Sequence, residues 1–263
     1  MAQIRPYRGI EAGQRIAERR RRLLTAGLDL LGAAPTPGDL TVRAICAQSG
    51  LAARYFYENF TDKDAFVSAV FDWVVADIAA TTQAAVAAAP AREQSRAGMT
   101  NLVRTISDDA RVGRLLFSDR LANPVVVRKR AESGALFALL SGQHAEAALH
   151  VTANERIKAA SHFVVGGVAQ TLSAWLAGDL DFTPEQLADQ LGMLIDRLGD
   201  PPQHGVTHLG DLEDGHGDSG EGERRGGIAR DVEGGHPDEH RQVWGGLQAG
   251  CMWFACNVMV AYM

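Results

Sequence analysis

Arg54, Tyr55 and Tyr57 stand close together in the stretch TVRAICAQSGLAARYFYENFTDKDAF, which begins at Thr41. A guanidinium and two phenols on one short helix are groups that bond to base edges and phosphates. The residues around them decide whether they face outward. Thr41 can cap the free amides of a first helix, whose Val42, Ile45 and Cys46 fall on one face. Ser49-Gly50-Leu51 forms a corner, with Gly50 free to take positive φ and Leu51 turning back to the core. The next helix, from about Ala52 to Phe60, buries Phe56 and Phe60 at the i, i+4 spacing. Ala53, Arg54, Tyr55 and Tyr57 then face out. This is how a helix-turn-helix offers its second helix to the DNA major groove. An ordinary αα-hairpin is the plain alternative.

Other chemistry finds less support. The chain has no G-x-G-x-x-G after a strand, no P-loop, no G-x-S-x-G and no H-E-x-x-H. His144, His150 and His162 fall on different expected helices and can converge in a cavity, where lining a pocket is the more ordinary role. His204 and His208 are spaced i, i+4 with Asp211 and His216 nearby, but glycines interrupt that segment and no helix is expected to hold a metal there. The expectation is a non-enzyme with no cofactor and no metal.

Charge distribution agrees with a nucleic-acid partner. The whole chain of 263 residues carries a formal charge of −6. Residues 1–60 hold nine Arg against five acids, whereas residues 201–263 hold four Arg against ten acids. The acidity therefore belongs to the tail, and the motif end is basic, as a phosphate-binding surface should be. The run Arg19 to Arg22 reads either as a solvated helix face or as a group near phosphate.

Composition bounds the remainder. A hydrophobic content of 46% suffices for a full core, and 6% aromatics with abundant Ala and Leu favours helices. No run of 18 or more apolar residues is free of charges or breakers, and no apolar segment follows the N-terminal arginines, so neither a membrane span nor a secretory signal is expected. Cys46, Cys251 and Cys256 form no disulfide framework. A cytoplasmic protein is expected.

Helix signals recur along the chain. Thr61-Asp62-Lys63-Asp64 resembles a capping box and opens a long helix that stops at Pro90. One or two helices are expected between Arg92 and Phe117. Asn123-Pro124 is a cap followed by a first-turn proline. Near Thr152 to Glu155 begins a helix running to Gly178, apolar nearly all round, so it needs cover on more than one side. Gly166 and Gly167 inside it suggest close approach by another backbone. Phe182, Thr183, Pro184, Gln186 and Leu187 supply a staple, a cap, a first-turn proline and a capping box for the last helix. That helix is expected to bury Leu187, Leu191, Leu194, Ile195 and Leu198. Two such helices are material for a symmetric four-helix dimer seam, with packing within one chain as the alternative.

Over about residues 10–199 the chain resembles the TetR family of bacterial transcriptional regulators. The block from Thr41 to Phe66 is similar to that family's DNA-binding signature, and GGVAQTLSAWLAGDLDFTPEQLADQLGMLIDRL is similar to its dimerising last two helices. The resemblance implies an all-α homodimer. Each subunit would have a three-helix DNA-binding domain over residues 1–64 and an effector-binding and dimerisation domain over residues 65–200. Its partners would be an inverted-repeat operator in double-stranded DNA and a small hydrophobic effector that releases it. By the same resemblance Thr41, Arg43, Tyr57 and Lys63 would touch phosphate, while Ala53, Arg54 and Tyr55 would face bases. The chain departs from the pattern at Ala52, where a capping Ser or Thr is usual, and at Glu58 and Asn59, where His is frequent.

Leu102, Ile106, Phe117, Phe137, Phe163 and Trp175 are the apolar residues expected around the effector. An effector-independent architectural DNA-binding protein is the main alternative function, and a helical enzyme with a His-lined cavity a lesser one. Residues 201–263 are Gly-rich and acidic without periodicity, and read as a disordered extension or as sequence translated past a natural end near Gly199.

Overall fold

The computed structural model describes residues 9–33, 40–149 and 155–199. The tail, Thr152, and the metal reading of His204, His208, Asp211 and His216 lie outside these residues. Among the described residues every regular element is a helix: α1 (Gly9–Leu31), α2 (Val42–Ser49), α3 (Ala53–Tyr57), α4 (Lys63–Ala88), α5 (Gln94–Asp108), α6 (Ala110–Phe117), α7 (Pro124–Leu149), α8 (Glu155–Ala177) and α9 (Pro184–Gly199). A single 3₁₀ turn, Ala91–Glu93, precedes α5.

Local chemistry sets these boundaries. Thr41 caps α2, its Oγ1 accepting from the Ala44 amide at 3.1 Å. Gly50 ends α2 at φ 66°, the left-handed geometry that a side chain disfavours. Asp62, not Thr61, caps α4 and accepts from the Ala65 amide at 2.8 Å. The Asn123 Oδ1 takes the amides of Val125 and Val126 ahead of α7. At α9 the capping box closes in both directions: the Thr183 amide donates to Gln186, and the Gln186 amide to the Thr183 hydroxyl.

Helices α1 to α3 and the first turns of α4 make the N-terminal head. Its core joins Leu23, Leu24, Leu28, Ile45 and Phe56 to Phe60, Phe66 and Val70. The rings of Phe56, Phe60 and Phe66 lie 5.0 to 5.5 Å apart and fasten the short α3 onto α4. Helix α1 can lie against α4 because Gly27 has no side chain: a Cβ there would fall 2.5 Å from Val70 and 2.6 Å from Phe66.

The remainder of α4 runs on, within the same continuous core, to where α5 packs on α9 and α7 on α8. With 26 residues, α4 spans about 39 Å. It is long and apolar enough by composition to cross a membrane. Here it serves as a core helix, burying Phe66, Val67, Val70, Phe71, Val74 and Ile78 among others.

Among the described residues a Cβ at Gly166 or Gly167 would meet nothing within 4 Å, so the close backbone approach expected there is not made within that part of the chain. One expectation about α9 needs correction. Leu194 and Leu198 are not buried but 44% and 38% exposed, because α9 turns only its Leu187, Leu191 and Ile195 edge toward the core.

Candidate functional site

The reading helix α3 has five residues, too few to be stable alone. It is held by Phe56 from below and by α1 from the side. Arg19 makes that second attachment, and Arg20 and Arg22 tie α1 to the segments on either side of α3, contacts that the sequence did not disclose. The Arg19 guanidinium lies 4.7 Å from the Tyr55 ring centroid, and that of Arg20 lies 4.8 Å from the Phe60 centroid. Arg22 donates to the Ser49 carbonyl at 2.7 Å, at the C-terminal end of α2, where a helix carries partial negative charge. Arg21 instead pairs on the surface with Glu18. Three members of the basic run thus brace the helix-turn-helix.

Ala53, Arg54 and Tyr57 face solvent, Tyr57 at 62% exposure. Tyr55 does not face outward with them. It is half-buried toward α1, where its ring meets two guanidiniums, Arg19 and Arg54, and its hydroxyl accepts from Arg54 at 2.7 Å. Arg54 is therefore the outward cation of α3, parked on its neighbour. Thr41 and Arg43 are exposed at the start of α2, and Lys63 is the exposed first residue of α4. An ammonium beside a helix N-terminus suits a phosphate, although Asp62 and Asp64 flank it. Ala52 gives α3 no side-chain cap, and Glu58 is exposed at its end.

The second feature is an apolar cavity of about 270 Å³ between α4, α5, α6, α7, α8 and α9. Leu102, Phe117 and Phe137 line it; Ile106, Phe163 and Trp175 do not. Ile106 is buried in the core, and Phe163 points outward at 66% exposure. Trp175 uses its indole N–H on the Phe182 carbonyl at 2.9 Å, bracing the α8–α9 turn. The wall instead draws on Phe71 and Ile78 of α4, Met99 of α5 and Val164 and Val168 of α8. Val164 and Val168 lie one helical turn apart on the face of α8 that Phe163 leaves, so only the rotation of that helix could have shown them. His162 is exposed and outside the cavity wall, and the side chains of His144 and His150 are outside the described residues.

Among the described residues of the wall, Arg130 is the one charged side chain. It donates four hydrogen bonds, all to main-chain carbonyls at the end of α6: Arg114, Leu115 twice, and Ser118. Burial lowers its pKa from the ordinary arginine value, and the charge of Asp119 opposes that shift.

No protein-family model matches this chain, and no curated protein does. Solved structures do. The transcriptional regulator FadR of Bacillus subtilis, in complex with stearoyl-CoA, superposes with a TM-score of 0.51 at 16% identity, over 66% of this chain and 96% of that one. The fatty acid degradation regulator FadR of Bacillus halodurans gives 0.53 at 13% identity, over 67% and 93%. A TetR-like transcriptional regulator from Rhodococcus sp. RHA1 gives 0.49 at 16% identity, over 68% and 93%. Likeness at such identities speaks for fold, and the fold shared with the two FadR regulators agrees with the TetR-like fold expected from the sequence.

Proposed function

We propose that this chain, with its TetR-like regulator fold, is a DNA-binding transcriptional repressor of the cytoplasm that binds an inverted-repeat operator as a homodimer. A small hydrophobic effector releases it. The observation that carries this reading is the pairing of an outward basic helix-turn-helix with an apolar cavity along one continuous helix, α4. Arg54 reads a base, Thr41, Arg43, Tyr57 and Lys63 hold phosphates, and Leu102, Phe117 and Phe137 contact the effector. The two FadR proteins lend support, one solved with stearoyl-CoA and the other described as a fatty acid degradation regulator. The chemistry of this site is binding, and no catalytic step is assigned to it.

Outward apolar faces supply the dimer seam. Phe163, Gly166 and Gly167 lie on one exposed stripe of α8, and Met193, Leu194 and Leu198 on one of α9. A partner copy covering both would supply the close backbone approach that the two glycines permit.

An architectural DNA-binding protein would share the head but has no use for the cavity. Selection of bound fragments from genomic DNA by the purified chain separates the two. Enrichment of one inverted repeat with half-sites about one helical turn apart is the expected result. Binding without sequence preference would favour the architectural reading and sink the repressor.

A further inference from the structure

We infer that the cavity takes an amphipathic monocarboxylic acid, its hydrocarbon chain among Phe71, Met99, Phe137 and Val168 and its carboxylate on Arg130. This deepens the effector reading and rests on it.

Each part of the ligand answers an observation. The wall is almost wholly apolar, so a ligand with several polar groups would leave them unpaired. Its polar side chains among the described residues are Thr82, Ser133, Ser141 and Arg130, and Thr82 already accepts from Asn101 at 2.8 Å. Arg130 differs from these because it brings a whole charge. Its four bonds all go to neutral carbonyls, and the one carboxylate whose charge acts on it, Asp119, makes no ion pair with it among the described residues. Neutral acceptors satisfy N–H groups without cancelling a charge, and Asp119 offsets it only from a distance, so the guanidinium still favours an anion. Four bonds use four of its five N–H donors, which leaves one on Nη1 for an incoming oxygen. One charge at the wall calls for one charge on the ligand.

The volume favours a small ligand. About 270 Å³ lies at the small end of ligand cavities, which run from about 300 to 1,000 Å³, so a free acid fits better than a bulky conjugate held wholly inside. Occupation also has a route to the fold. A carboxylate that draws on Arg130 competes with the carbonyls of Arg114, Leu115 and Ser118, which are the final turn of α6.

The test compares decanoate with decanol, two probes of equal chain length, by isothermal titration into the full chain at pH 8. Decanoate is expected to bind at least about tenfold tighter, the worth of one charge-assisted hydrogen bond. Arg130→Gln keeps a donor for the α6 carbonyls but no charge, and should bring the two affinities together. Arg130→Lys should keep part of the preference. Ala169→Trp fills the cavity and should abolish binding of both. Equal affinity of the wild type for the two probes would overturn the acid head while leaving the cavity as an effector site. A preference for decanoate that survives in Arg130→Gln would remove Arg130 as the contact. Binding that survives Ala169→Trp, or no binding of either probe to the wild type, would overturn the cavity reading as well.

Discussion

Arg111 of α6 reaches Asp29 of α1 and so ties the helices around the cavity to the helix that carries the arginine run. Asp29 has a second partner in Gln48 of α2, whose amide donates to it at 2.9 Å. Arg111 is itself gripped by Asp109 through its guanidinium and its main-chain N–H. A few residues on, Arg114 donates to the Gly32 carbonyl at the end of α1. Helix α6 is thus fixed to the head at its beginning and capped by Arg130 of the cavity wall at its end. Movement of α6 has a direct path to α1 and α2.

The Asp29–Arg111 link should be measurable as a coupling energy. Both side chains are only partly shielded, which keeps the expected value near 1 kcal/mol. Asp29→Asn, Arg111→Gln and the double variant, unfolded in urea, complete the cycle. Additive effects would show an incidental surface pair rather than a joint between domains.

Asp109 predicts a pH dependence. Hydrogen bonds from the Arg111 guanidinium, with the main-chain N–H groups of Arg111 and Val112, hold its carboxyl below the usual range against a smaller opposing effect of burial. A depressed folded pKa stabilises the fold above the unfolded value, about 3.9, and that stability is lost as pH falls through the folded value. Asp109→Asn keeps the oxygen that caps α6 and loses the charge. It should cost about 1 kcal/mol at pH 7, with the gap to wild type narrowing below about pH 4. Thermal midpoints followed from pH 7 to pH 2 test the sign, and a gap that widens on acidification would contradict it.

Gly167 separates a dimer from a monomer unusually well. Within one chain a Cβ there meets nothing, and leucine is the better helix former by up to about 1 kcal/mol. Gly167→Leu should therefore leave the isolated chain at least as stable, yet overpack a seam against a second copy. Sedimentation at micromolar concentration should show the wild type as a dimer and the variant shifted to monomer. A wild type that sediments as a monomer, or a variant that dimerises unchanged, removes α8 from the interface.

How much the sequence disclosed depended on how local each signal was. Thr41, Gly50, Asn123 and the Thr183–Gln186 box act within a few residues, and the structure forms each as expected. The cavity depends on how six helices are rotated and packed, which no local pattern states. Phe163 and Ile106 have the right chemistry and the wrong azimuth, whereas Arg130, a charged residue in an ordinary-looking helix, gave no apolar signal. Tyr55 follows the same rule: spacing put it outward, and a tertiary contact with Arg19 turned it in. Leu194 and Leu198 carry the same apolar signal as the buried Leu191 and Ile195, and only the rotation of α9 tells them apart.

The last prediction concerns DNA. Arg54 rests on Tyr55 in the free chain, so a base contact requires it to exchange that hydroxyl for a guanine edge. The exchange is favourable only where the correct base offers two acceptors, worth about 1–3 kcal/mol of discrimination. Arg54→Ala should therefore weaken binding to the specific operator and spare a scrambled duplex. Tyr57→Phe and Lys63→Ala remove phosphate donors and should weaken both duplexes alike. Lys63→Ala should also lower the salt slope by about one counterion. Titrations at several salt concentrations, on variants shown to be folded dimers, distinguish these roles. Equal losses on both duplexes for Arg54→Ala would make Arg54 a phosphate clamp. If none of the three variants changes affinity, α3 does not face the DNA, and the basic surface must meet it through α1.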